Sequence, residues 1–246
     1  MTRMLGKLPP RRDRRTLKLG RYTKKLAPAP RECDRTAKVT NLGMMFNDTV
    51  GDCTCAAVGH VIQVWTANQG AQYVVPDTSI LELYEDVSGY NPQDPSSDQG
   101  AVEIDVLNYW RKHPLVGHSL LAYASIKPQA TEEIRQAVYY FGAAYVGVAL
   151  PLTAQNQSGT WTVTSLKGDG APGSWGGHAV PIVAYDQHTV TFITWGSYQK
   201  ASWNWLWAYL DECYALLGLD WLGPSGKTPD GFDLATLRMD LAEVSV

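Results

Sequence analysis

Cys53 follows Gly51-Asp52 and opens a stretch, 54–68, in which Val58, Val61, Ile62 and Trp65 recur at helical spacing on one apolar face. A cysteine in that position has a chemical use. A thiol attacks a carbonyl carbon as its thiolate, and the partial positive charge of a helix N-terminus stabilises that anion. An imidazole partner would stabilise it further, and His178 is the candidate. It follows Gly176-Gly177 and opens the hydrophobic run from Ala179 to Tyr185, so a strand would present it at the mouth of a cleft. His60 lies two turns along the nucleophile's own helix, about 10 Å away by helical rise, too far to be its base. His113, His118 and His188 fall in loops or turns. Cys55 faces away from Cys53 and reads as a small buried hydrophobe.

The elements that must position this pair follow from periodicity. The spacing predicts helices over 54–68, 79–87, 101–112 and 131–141, with a Pro/Ser loop over 91–100. Strands are expected over 144–150, 160–165, 178–185 and 189–194, the last two joined at Asp186-Gln187-His188 as a hairpin. Trp203, Trp205 and Trp207 alternate as on one face of a strand, followed by a helix over 208–217 and another over 233–244. Helices first and antiparallel strands second give an α+β class. Three parts are expected: a basic, Pro-containing arm over 1–32, a catalytic domain over 33–218, and an extension with a short helix over 219–246.

Composition narrows the function classes. The chain has 246 residues, 45% hydrophobic, with nine tryptophans, enough for a sizeable core. No apolar run approaches the ~18 residues of a membrane span, and the N-terminus lacks an apolar export core, so a cytoplasmic protein or one inside a viral particle is expected. Four cysteines at this length make no disulfide framework and read as free thiols. Cys53-Thr54-Cys55 lacks a second ligand pair for zinc, and the spacing of Asp94 and Asp98 fits no calcium loop, so neither metal nor cofactor is expected. Net charge is −3, yet 13 of the 21 basic residues lie in the first 40 positions against 3 acidic ones. Such an arm can dock on an acidic protein surface, its own body or a larger assembly, or act as a short pro-segment; nucleic acid is not its expected partner.

The motifs resemble those of papain-like cysteine peptidases. Gly51-Asp52-Cys53 resembles the family's Gly-Ser-Cys, and Gly177-His178-Ala179-Val180 its Gly-His-Ala-Val. Asn47 stands six positions before Cys53, where the family has an oxyanion-hole glutamine. Asp34-Arg35 resembles its Asp-Trp-Arg, and Thr194-Trp195-Gly196 its Asn-Ser-Trp-Gly. Cys53 and His178 are 125 positions apart, similar to the family's spacing. The resemblance implies a nucleophile helix in the first half, packed on an antiparallel sheet or half-barrel in the second. It implies Cys53 as nucleophile, His178 as its partner, and an oxyanion hole from the Cys53 backbone N–H and the Asn47 side chain. Trp195 would shield His178 from water. The family's histidine-orienting asparagine has no counterpart; Thr194 stands nearest, and Asp186 is the alternative. Val50 replaces a family cysteine, so that disulfide is absent. The implied activity is hydrolysis of a peptide (amide) bond in a peptide or protein substrate. The alternative is a catalytically weak or inactive copy of the fold serving as a structural component of an assembly such as a phage particle.

Overall fold

The computed structural model describes residues 3–23, 26–222 and 226–229. Three short pieces come first: β1 (Leu17–Lys18), α1 (Leu19–Tyr22) and β2 (Cys33–Asp34). The helices α2 (Cys53–Gln69), α3 (Asp77–Ser88) and α4 (Glu103–Lys112) follow, then β3 (Leu120–Ser125), α5 (Thr131–Phe141) and β4 (Ala144–Leu150). The second half holds β5 (Gly176–Tyr185), β6 (Thr189–Thr194), β7 (Ser197–Ser202), α6 (Trp203–Tyr209), β8 (Leu210–Gly218) and α7 (Leu219–Leu222). The class is α+β. The strands form one sheet in the order β1-β3-β8-β4-β5-β6-β7, antiparallel except for β1 on β3, with β2 paired to β5.

Two apolar layers cover the two faces of this sheet. Ile134, Val138, Val146, Val180, Ile182, Phe192 and Trp205 fill one; Val58, Ile62, Trp65, Tyr145, Val183, Ile193 and Leu216 fill the other. β5 supplies both, with Val180 and Ile182 on one side and Ala179 and Val183 on the other, as period-2 alternation requires. Its register with β4 sets Val148 opposite His178 and Ala149 opposite Gly177, so the histidine is fixed near the start of the longest strand.

The helix α2 differs from its expected amphipathic form. From Cys53 to Trp65 every residue of α2 is buried, His60 and Gln63 included. The sheet lies on one side of it and α3, α4 and α7 on the others, leaving no solvent face. The polar members find partners: Gln63 Nε2 donates to Asn41 O at 2.7 Å, and His60 Nε2 lies 3.4 Å from Gly43 O. Trp65 anchors the far end. It is fully buried, donates from Nε1 to Phe141 O at 2.9 Å and stacks on Trp110. Trp65→Ala should therefore cost about 3–5 kcal/mol of stability, read as a lowered urea midpoint at unchanged slope.

Two sequence expectations are reversed between 202 and 218. The tryptophan stretch is the helix α6, capped by Ser202, whose Oγ accepts from Trp205 N at 3.2 Å. Trp203 and Trp205 are buried and Trp207 is 42% exposed. The segment expected as a helix is β8, a strand held between β3 and β4 and buried along nearly its whole length. Burial on both faces erases alternation, so its apolar residues carry no readable period. No strand forms over 160–165; Trp161 alone makes a bridge, to Ala201. β3 and β7 were not anticipated. The helix expected over 233–244 lies outside the described residues.

Candidate active site

Cys53 is the first residue of α2, and Asp52 is its N-cap, whose carbonyl accepts from the N–H groups of Cys55 and Ala56. The first N–H groups of such a helix have no acceptor within it. β5 crosses directly in front: Ala179 N–H donates to Cys53 Sγ at 3.4 Å. The residue before Ala179 is His178, 1% exposed. Its Nε2 lies 2.7 Å from Thr194 Oγ1, at the end of the neighbouring strand β6. Its Nδ1 is buried with no hydrogen-bond partner. Trp195 stacks flat on the imidazole, centroids 4.3 Å apart at 11°, and Trp175 stacks on Trp195. Trp195 holds φ +45°, a conformation rare outside glycine, and is followed by Gly196 at +68°. This tight turn between β6 and β7 aims the indole at the ring.

The structure thus sets His178 against Thr194 and the Cys53 sulfur against Ala179, the residue next to His178, at one end of the sheet. Asn47 is close in chain but turned into its own loop. Its Nδ2 donates to Asp52 Oδ1 at 3.1 Å and to Val50 O at 3.3 Å, a clasp that shapes the turn leading to Cys53. Asp186 is not at the site. Its carboxylate accepts from His188 N, Thr189 N and Thr189 Oγ1, closing the β5–β6 turn. Cys53, Cys55 and Cys213 are buried free thiols.

Burial governs the protonation of the pair. It pushes the Cys53 thiol up to about 12; the N–H groups of Ala179 and Gly6 oppose this and the Asp52 carboxyl adds to it. Burial pushes His178 down to about 3, with His60 and Arg3 adding to the effect. At neutral pH the described state is a neutral thiol and a neutral imidazole with no hydrogen bond between them.

Residues 3–8 of the chain add to that burial. Met4 N–H donates to Asn47 O at 3.0 Å, Lys7 N–H to Gly177 O at 3.2 Å, and Leu8 N–H to Ala101 O at 2.9 Å. Ala101 N–H returns a bond to Gly6 O at 2.8 Å, and Trp195 Nε1 donates to Met4 O at 3.1 Å. Arg3 lies over the Trp195 ring. Residues 3–8 therefore cross the site between the Cys53 loop on one side and the start of β5 on the other. The fit is tight at Gly6, where an added Cβ would overlap the Gly51 carbonyl.

Several residues that build this cleft escaped the sequence reading. Asp98 Oδ2 accepts from Gly51 N at 2.9 Å, and its Oδ1 accepts from Tyr84 OH, which in turn accepts from Gly100 N. One carboxylate and one phenol thus tie both rims of the cleft together; only the loop position of Asp98 was visible beforehand. Lys7, Glu103, Asp211 and Glu212 meet at the other side. Among the described residues no group of His, Cys, Asp or Glu is arranged to hold a metal ion, and no helix is long and apolar enough to cross a membrane.

No family model matches the sequence, and no curated protein sequence matches it. Solved structures do match in fold. Xylellain, a cysteine protease from Xylella fastidiosa, superposes with a TM-score of 0.64 at 15% identity, over 88% of this chain and 98% of that one. Procathepsin L2 proteinase from the larval midgut of Tenebrio molitor gives 0.61 at 14%, over 87% and 78%. The cysteine protease and lectin-like domains of Cwp84 from Clostridium difficile give 0.60 at 12%, over 87% and 55%. The fold is papain-like, in a divergent form. Nothing in these likenesses points to a particle component.

Proposed function

We propose that this chain is a papain-like thiol hydrolase that cleaves peptide bonds with Cys53 and His178. One observation carries the reading: a buried imidazole gripped by Thr194 and Trp195, with one nitrogen unpartnered, on the residue next to the one touching the Cys53 sulfur. A structural histidine satisfies both nitrogens; this one keeps Nδ1 free to exchange a proton.

With the cleft open to water, the burial that disfavours charge is relieved, and the proton moves from Cys53 to His178. The thiolate adds to the substrate carbonyl. The Cys53 N–H, at the positive end of α2, faces the developing oxyanion; such a donor is worth about 3–4 kcal/mol. Asn47 joins it by giving up one of its loop bonds. His178 then protonates the leaving amine, and water, deprotonated by the same ring, releases the acyl group. Thr194 holds the ring in the productive tautomer and orientation.

The test is selective labelling. An epoxide of the E-64 type should modify Cys53 and leave Cys55 and Cys213 untouched once residues 3–8 are displaced. Equal modification of the three cysteines would sink the reading. Thr194→Val, which keeps shape but removes the acceptor, should lower kcat about 10- to 100-fold, the worth of one hydrogen bond to a charged ring. Thr194→Ser should restore most of it.

A further inference from the structure

Lys7 sits where a peptide in the cleft would project a side chain. Its backbone N–H bonds to Gly177, one residue before His178, and it bridges to Ala101 on the opposite rim. Its side chain is 1% exposed, and Nζ lies 2.9 Å from Asp211 Oδ2 and 3.0 Å from Glu212 Oε1. Glu103, wholly buried at the start of α4, is the third acid. Both its carboxyl oxygens lack a hydrogen-bond partner, and its charge raises the Lys7 pKa together with those of Glu212 and Asp211.

This pocket has a floor made for a long side chain. Gly147 lies in the buried strand β4 between Tyr145 and Val148, where a side chain would ordinarily pack. A Cβ there would overlap the Cε of Lys7 and crowd Asp211 and Glu212. Glycine inside a strand weakens it and marks close approach of another group. Burial by itself would lower the lysine pKa, but Glu103, Glu212 and Asp211 outweigh it and raise it. Burial pushes Glu103 and Glu212 toward their neutral forms, and with residues 3–8 withdrawn they would lose the cation that favours the carboxylates. A buried carboxylate without a partner is strongly unfavourable.

From this geometry we infer that the Glu103–Asp211–Glu212 pocket is the specificity pocket of the cleft, selecting a lysine or arginine side chain from an extended peptide, with Lys7 as its built-in occupant. That a peptide so bound is cleaved rests on the hydrolase reading; the binding preference does not.

The binding test uses the full chain carrying Gly6→Val to displace its own arm and Cys53→Ala to prevent turnover. Two fluorescent hexapeptides with the sequence of residues 3–8 are compared, one with lysine and one with norleucine at the fifth position. The lysine peptide should bind at least tenfold more tightly, and Glu212→Gln should shrink that ratio; equal affinities overturn the inference. A second variant does not need the displaced arm. Lys7→Met in the otherwise intact chain should raise the alkylation rate of Cys53 at least tenfold while Lys7→Arg does not, and an unchanged rate in Lys7→Met counts against the pocket. With Cys53 restored in the Gly6→Val chain, cleaved members of a mixed peptide pool should share a basic residue at one fixed distance from the cut. Cleavage without that preference overturns the inference and spares the hydrolase reading. Lysine-selective binding with no cleavage does the reverse.

Discussion

Gly6→Val should raise the rate at which iodoacetamide alkylates Cys53 at pH 7.5 by about three orders of magnitude. With residues 3–8 seated, the thiol is held at about 12, so only on the order of one molecule in 10⁴–10⁵ carries a thiolate at that pH. A solvated cysteine near 8.5 is about a tenth ionised under the same conditions. Valine at position 6 cannot share space with the Gly51 carbonyl, so the segment must lift. The pH profile distinguishes a lifted segment from a general loosening. In the unaltered chain the rate should climb about tenfold per pH unit from 7 to 10 with no plateau, because the folded pKa lies above that window. In the variant the climb should level off at or below ordinary thiol values, since His178 regains its basicity once wet and favours the thiolate. Identical profiles for the two chains would mean that the segment does not control the sulfur.

Cys53→Ala in the Gly6→Val chain should reduce peptide hydrolysis by about 10⁵-fold, the scale on which loss of a nucleophile removes covalent catalysis. Cys55→Ala, two positions further along the same helix and fully buried, should change kcat by less than about twofold. Mass spectrometry of a quenched reaction should find an acyl group on Cys53 and on no other cysteine. Hydrolysis that persists in Cys53→Ala would assign the activity to a contaminant or to other residues.

The helix α2 was legible because its signals are local. The Gly-Asp turn, the apolar recurrence at Val58, Val61, Ile62 and Trp65, and the stop at Gly70 all lie within about twenty positions of one another, and the observed Cys53–Gln69 differs from 54–68 by one residue at each end. His178, β5 and Thr194 were readable for the same reason: a glycine pair, a buried run and a short turn in succession. The failures have two physical origins. β8 is enclosed by β3 and β4, so its apolar residues carry no alternation, and Leu210, Cys213 and Leu217 mimic a helical spacing. α6 depends on one capping hydroxyl, Ser202, and on tertiary cover of Trp203 and Trp205, neither of which outweighs the period-2 look of its tryptophans. The acidic pocket was invisible in kind. Lys7, Glu103, Asp211 and Glu212 are strewn over two hundred positions, and nothing along the chain says that a sheet and a helix will bring them to one point.

Main chain, rather than side chains, walls the passage occupied by Gly6: the Gly51 carbonyl on one flank, Gly100 against the Gly6 carbonyl itself, and Gly177 against the carbonyl of Lys7 beside it. A channel of that width admits a single unpaired polypeptide thread and refuses anything already hydrogen-bonded into a hairpin or coiled into a helix. On the hydrolase reading, the molecule would discriminate by conformation before it discriminates by sequence, acting on frayed ends, loosened linkers and unfolded chains while leaving intact globular neighbours alone.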